Sequence, residues 1–150
     1  MAVKLIAENR KARHEYQLLE RYEAGLVLTG TEVKSLRQGG ASLQQAYADV
    51  REGEVWLIGA HIAEYGQGNV HNHEPDRERK LLMHRKEIAS LYGKVRERGL
   101  TLVPTRIYFS GPRAKVEIAL ARGKDVGDKR QSIKEREMKR EMERAVRGPH

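Results

Sequence analysis

The chain has 150 residues, one domain's worth, and 29 Lys and Arg against 21 Asp and Glu give it a formal charge of +8 and a pI near 9.8. Zero cysteines exclude a disulfide scaffold, a thiol nucleophile and a cysteine-ligated metal, and no stretch approaches the roughly 20 apolar residues that cross a bilayer. The basic balance points to a polyanionic partner, while aromatics at 5% leave a stacking platform of Phe, Tyr and Trp poorly supplied.

Met1 to Glu8 carries Lys4 inside its short apolar patch and so lacks the continuous core of a secretory signal, which predicts a cytoplasmic location. Residues 1–13 are basic without clear periodicity. Glu15 to Tyr22 reads as a strand with a ragged pattern, Ala24-Gly25 as a turn, and Leu26-Val27-Leu28 as its hairpin partner, broken at Gly30. Thr31 is the expected N-cap of a two-turn helix with Glu32 in its first turn, Val33 and Leu36 on one face, and Gly39-Gly40 as its stop.

Tyr47 to Val50 and Val55 to Ile58 flank Arg51-Glu52-Gly53-Glu54, the clearest hairpin signal in the chain. Tyr65 to Asp76 is rich in Gly, Asn and Pro and reads as a surface loop. Arg79 to His84 then leads into an amphipathic helix over Arg85 to Arg98, where Ile88, Leu91, Tyr92 and Val95 share a face and Gly99 ends it. Leu100 to Phe109 and Ala114 to Leu120 form a third hairpin around Gly111, with Pro104 requiring an edge position or a bulge. Several short strands interrupted by two helices predict a mainly β fold, a small antiparallel barrel over residues 1–120.

Residues 121–150 hold ten basic and six acidic side chains with a narrow apolar stripe of Ile133, Met138, Met142, Ala145 and Val146. A basic C-terminal tail, disordered when free and helical when bound, is expected.

Enzyme chemistry is thinly supported. Gly123 and Gly127 have three residues between them and Asp128 follows, so no Walker sequence is present. His71-Asn72-His73 with Glu64, Glu74 or Asp76 could ligate a metal, but a solvated polar loop is the expected reading. Glu23, Glu32, His14 and His61 could supply a general acid and base, yet nothing in the spacing brings them together, and neither a catalytic role nor a metal or other cofactor is expected. The basic clusters Arg10-Lys11-Arg13, Arg77-Arg79-Lys80 and Lys129-Arg130, with His14, Tyr16 and Tyr22 beside the first, suggest a helix-decorated β domain that binds RNA.

Beyond composition, Asn9 to Tyr16, Glu23-Ala24-Gly25, Gly30 to Arg37, Asp76-Arg77, Arg79 to His84, Leu91 to Val95, Asp128-Lys129-Arg130 and Ile133 to Glu137 form an ordered set of motifs. It resembles the SsrA-binding protein family, small protein B of bacterial trans-translation, in order and over nearly the whole chain. The resemblance implies an OB-fold-like barrel that binds the tRNA-like domain of transfer-messenger RNA (tmRNA). It would act as a cytoplasmic, ribosome-associated adaptor on ribosomes stalled on truncated messages. The expected partners are tmRNA and the stalled ribosome with its small-subunit ribosomal RNA, together with elongation factor Tu and alanyl-tRNA synthetase through tmRNA. A basic ribosomal or ribosome-assembly protein with the same body is the alternative.

The family's RNA face maps onto Asn9, His14, Glu23, Arg37, Arg79, Lys80, Leu82 and His84. Arg37, Arg79 and Lys80 would neutralise phosphates, Asn9, His14 and His84 would bond base edges or ribose hydroxyls, and Leu82 would lie under a base. Glu23 would accept from a base amino group or a 2′-hydroxyl, orient a neighbouring Arg, or stand merely as an exposed acid. The tail residues implied to meet the ribosome, through an empty mRNA channel, are Arg122, Lys124, Asp128, Lys129, Arg130, Ile133, Lys134, Arg136 and Met138. Asp125 and Gly127 stand where the family usually has a lysine and an aromatic or histidine.

Overall fold

A computed structural model describes residues 3–66 and 72–123 of the chain. In chain order its elements are β1 (Val3–Glu8), α1 (Arg10–Glu15), β2 (Tyr16–Leu26), α2 (Gly30–Arg37), β3 (Ala41–Ser42), β4 (Tyr47–Arg51), β5 (Glu54–Ile58), β6 (His61–Ile62), β7 (Arg79–Leu82), α3 (Arg85–Arg98), β8 (Thr101–Ser110) and β9 (Arg113–Gly123).

Strands β8, β4, β5, β7, β2 and β9 follow one another in antiparallel pairs, and β9 returns to β8 so that the sheet closes into a ring. Closure leaves these strands without an open edge. One side of β8 is shared: Leu102 faces Ala48 of β4, and Arg106 to Ser110 pair with β1. Leu26, Leu57, Leu81, Leu102, Ile107, Ile118 and Leu120 point into the ring, where Leu36 of α2 and Leu91 of α3 join them. A second, smaller cluster of Ala12, Val103 and Ala121 seats α1 on the outside of β8 and β9. The expected antiparallel barrel with added helices is therefore the fold.

Local signals hold where the partner is near in sequence. The β4–β5 hairpin turns on Glu52 and Gly53, both at positive φ (52° and 76°), the pair that a two-residue turn between twisted strands demands. Gly99 ends α3 in the left-handed region. The register of β8 against β9 shifts between Pro104 and Arg106, the bulge anticipated from a residue without an N–H.

Other expectations are corrected. No hairpin forms at Ala24-Gly25: β2 runs unbroken through both, because β9 and β7 supply partners for their backbone groups. The ragged pattern has its own cause, a register shift between Leu18 and Glu20 that reverses the side-chain phase along β2. Basic residues 1–13, read as featureless, hold β1 and most of α1.

Helix α2 is capped by Thr29 and not Thr31, since the Thr29 N–H donates to Glu32 Oε1 at 2.8 Å, one arm of a capping box. Tyr92 leaves the buried stripe of α3 and is 45% exposed. Finally, β9 extends to Gly123, so Ala121 and Arg122, assigned to the tail, lie in the last strand.

Candidate nucleic-acid interface

Strand alternation sorts the expected RNA residues before any contact is considered. On β7, Arg79 and Leu81 share the inner face, while Lys80 and Leu82 share the outer one. On β2, Ala24 and Leu26 are buried and Glu23 and Gly25 face out. Leu82 lies opposite Gly25, whose missing side chain leaves the leucine 55% exposed. Glu23, Lys80 and Leu82 thus occupy one continuous outer face of adjacent strands. His84 adjoins it as the exposed N-cap residue of α3, its N–H donating to Glu87 Oε1 at 3.3 Å.

Lys80 Nζ is 2.6 Å from Glu54 Oε1 on the neighbouring strand, with both side chains about 40% exposed. Arg37 ends α2, and its guanidinium lies 5.0 Å from the centre of the Phe109 ring. His14 is exposed in the last turn of α1.

Two expected contacts are interior instead. Asn9 is 3% exposed: Oδ1 accepts from the Ala12 N–H at 3.1 Å, and Nδ2 donates to the carbonyls of Leu43 (3.1 Å) and Pro104 (2.9 Å). It caps α1 and ties that helix to the ring. Arg79, expected to neutralise a phosphate, is fully buried. Its Nε donates to Glu32 Oε2 at 2.5 Å, Nη1 to the carbonyls of Ala60 and Arg77, and Nη2 to those of Glu74 and Pro75. That arrangement occupies the whole guanidinium fork. Arg77 reaches the other oxygen of Glu32 at 2.6 Å. Burial opposes ionisation of Glu32, but hydrogen bonds from Arg77, the Thr29 N–H and Arg79 outweigh it and hold its carboxyl below the usual range.

His73 also differs from expectation: in place of a solvated loop residue it is 8% exposed, with Nε2 2.8 Å from the Ile62 carbonyl and Nδ1 2.9 Å from Thr31 Oγ1. A carbonyl only accepts, so Nε2 carries a proton and donates it to Ile62. His71 lies outside the described residues. Among the described residues no group of three His, Asp or Glu is placed to hold a metal. The candidate acid–base residues are dispersed among separate partners, Glu32 with Arg79, His61 with Asp76 at 2.9 Å, and Glu23 with Tyr108.

A polar network on β2, β9 and β8 escaped the sequence reading. Glu117 accepts from Arg106 at 2.7 Å and lies 3.4 Å from Arg21; Tyr108 donates its hydroxyl to Glu23; Lys115 stands 3.9 Å from the same carboxylate. Burial opposes ionisation of Glu117, yet Thr105, Arg106 and Arg21 hold its carboxyl below the usual range. The signal was present as Lys115 and Glu117 alternating with Val116 and Ile118. Beside Lys80 and Leu82 a groove of about 790 Å³ runs between β7, α3 and the β4–β5 hairpin, with Met83, Arg85, Ile88 and Tyr92 in its walls. Of the expected tail residues, Arg122 is exposed at the end of β9, opposite Gln17. Lys124, Asp128, Lys129, Arg130, Ile133, Lys134, Arg136 and Met138 lie outside the described residues.

Comparison with known proteins adds an independent line. The family model of the SmpB protein matches residues 6–148. An SsrA-binding protein of Thermobifida fusca (strain YX) is 63% identical over 144 residues, covering 96% of this chain and 90% of that one. One from Desulforudis audaxviator (strain MP104C) is 59% identical over 145 residues, covering 97% and 95%. A chain from a solved structure described as "tmRNA-SmpB: a journey to the center of the bacterial ribosome" superposes with a TM-score of 0.67 at 51% identity, covering 79% of this chain and 83% of that one.

Proposed function

Since the chain belongs to the SmpB protein family, we propose that it binds tmRNA through the tRNA-like domain and works with it in trans-translation, on ribosomes stalled on truncated messages. The observation that carries this reading is the outer face on which Glu23, Lys80 and Leu82 stand together on adjacent strands of a closed ring, beside His84. Rigid strands present such groups with little ordering cost on binding. Lys80 and Arg37 neutralise phosphates, His14 and His84 bond base edges or ribose hydroxyls, and Leu82 supplies an apolar contact under an unstacked base. Glu23 is the acceptor for an RNA donor group. Asn9 and Arg79 serve the site from beneath, as buried supports of α1 and α2.

The chain acts as an adaptor, with residues 124–150 following the vacant mRNA channel against small-subunit ribosomal RNA. Lys124, Lys129 and Arg130 provide the charge there, Gly127 bringing no ring to stack. Elongation factor Tu and alanyl-tRNA synthetase are met through tmRNA. A gel-shift titration of the full chain against the tRNA-like domain of tmRNA and against an ordinary tRNA tests the reading. Preference for the former supports it; equal binding of both would move the assignment to a general ribosomal or assembly protein.

A further inference from the structure

Glu23 is 55% exposed at its side chain, a state in which a glutamate ordinarily samples several rotamers. Here one oxygen, Oε2, accepts from the Tyr108 hydroxyl. Tyr108 is itself enclosed. It is 5% exposed on β8, and the Arg106 guanidinium covers its ring 5.2 Å from the centroid. Arg106 in turn is held by Glu117 Oε2 at 2.7 Å. The contacts therefore run from Glu117 through Arg106 and Tyr108 to Glu23, across three neighbouring strands. Burial, and then the Glu23 carboxylate, push the Tyr108 hydroxyl above the ordinary phenol range, so it remains a proton donor at any physiological pH. Lys115 Nζ stands 3.9 Å from the other oxygen, Oε1, close enough to steady the charge but beyond a direct hydrogen bond.

We propose that Tyr108 is a positioning residue of the RNA site: its hydroxyl fixes the Glu23 carboxylate as a preset acceptor for a hydrogen-bond donor of the RNA. The inference rests on the reading that Glu23 faces RNA. Phosphate oxygens carry no donor, so this carboxylate repels a misplaced backbone and rewards a base or ribose that brings an N–H or O–H to it. Fixing it beforehand removes the rotamer cost that each binding event would otherwise carry. Neither residue touches a phosphate, which separates their contribution from that of Lys80 and Arg37.

A double-mutant cycle on the full chain tests this, with affinity for the tRNA-like domain of tmRNA measured at several salt concentrations for the parent, Glu23→Ala, Tyr108→Phe and the double variant, well below each melting temperature. Glu23→Ala should weaken binding about tenfold or more, and Tyr108→Phe about three- to tenfold, each with the parent's salt slope. In the Glu23→Ala background Tyr108→Phe should cost nothing further, a signature that general loss of packing does not produce. Parent-like binding by Tyr108→Phe beside a weakened Glu23→Ala would overturn the positioning role and leave the Glu23 reading standing. Parent-like or tighter binding by Glu23→Ala would overturn the Glu23 reading itself. An equal loss from Tyr108→Phe in both backgrounds would show that Tyr108 acts on something other than Glu23.

Discussion

Arg79 Nε and Glu32 Oε2 lie 2.5 Å apart, with neither side chain exposed to solvent. The arginine comes from the inner face of β7 and the glutamate from the first turn of α2, so the pair fastens the helix to the ring wall. Every polar atom of both side chains has a partner, since Glu32 Oε1 takes Arg77 and the Thr29 N–H while the Arg79 Nη atoms take four carbonyls. A basic residue expected on the RNA face is instead part of the core's polar scaffold.

Arg79→Met should therefore cost stability before it costs RNA affinity. Removing Arg79 takes the buried partner from Glu32 Oε2 and leaves only the partly exposed Arg77 as counter-ion, while the four carbonyls also lose their donors, a change of about 3–5 kcal/mol. Urea unfolding measures it, and the double variant with Glu32→Gln should be less unstable than the single one. A loss below about 1 kcal/mol would mean that the site relaxes and admits water.

Acid should expose the same pair. The folded Glu32 carboxyl has its pKa below the usual range, so the unfolded chain binds the proton more readily. The stabilisation is complete above the unfolded pKa, about 4.3, and is lost as the pH falls from there through the lower folded value. Melting temperatures between pH 7 and pH 3 should drop along an acid limb that Glu32→Gln makes shallower.

On the outer face the expected pattern is reversed. Lys80 and Glu54 form a half-exposed pair worth at most about 1 kcal/mol, so Lys80→Ala should leave the fold intact. It should lower the salt slope of tmRNA binding by up to about one phosphate contact. Glu54→Gln, which frees the ammonium, should tighten binding slightly; a weaker complex would show that Lys80 needs Glu54 to hold it in place.

Asn9 offers a cleaner separation of capping from cross-linking. Asn9→Asp keeps the acceptor for the Ala12 N–H but removes the donors to the Leu43 and Pro104 carbonyls and sets a buried carboxylate against them. It should destabilise the fold at least as much as Asn9→Ala, by about 1–3 kcal/mol at neutral pH. A stable Asn9→Asp protein would reduce the role of Asn9 to the cap alone.

The end of β9 marks where the chain can be cut. Ending it after Leu120 removes Ala121, 1% exposed, and the pairs Leu18 with Ala121 and Gln17 with Arg122; ending it after Gly123 removes neither. Only the longer truncation product should keep parent-like melting and tmRNA affinity. Both should fail to tag a message lacking a stop codon, and full tagging by either would end the channel reading of residues 124–150.

Elements whose partners are near in sequence could be read directly. Glu52-Gly53 and Gly111 announce hairpins, the spacing of Ile88, Leu91 and Val95 announces α3, and Pro104 announces its bulge. Lys80 and Leu82 were named through the family resemblance, and the structure places both on the outer face of β7. What failed were inferences in which a distant segment outvoted a local signal. Gly25 looks like a turn until β7 and β9 pair with β2 around it. His73 looks like loop chemistry until Thr31 and Ile62 enclose it.

The sequence by itself determined a small basic antiparallel β domain with helices and, through its ordered motifs, its family. Arg79, Lys80 and Leu82 were expected on one RNA face, whereas successive side chains of β7 point to opposite faces, so that Arg79 goes with Leu81 and Lys80 with Leu82. Only the tertiary structure decided that the face of Arg79 is the inner one, and that Tyr108, 85 residues from Glu23, meets its carboxylate. The physical reason is that periodicity is a property of one segment, whereas burial and hydrogen-bond partnership arise when segments remote in sequence close around the same space.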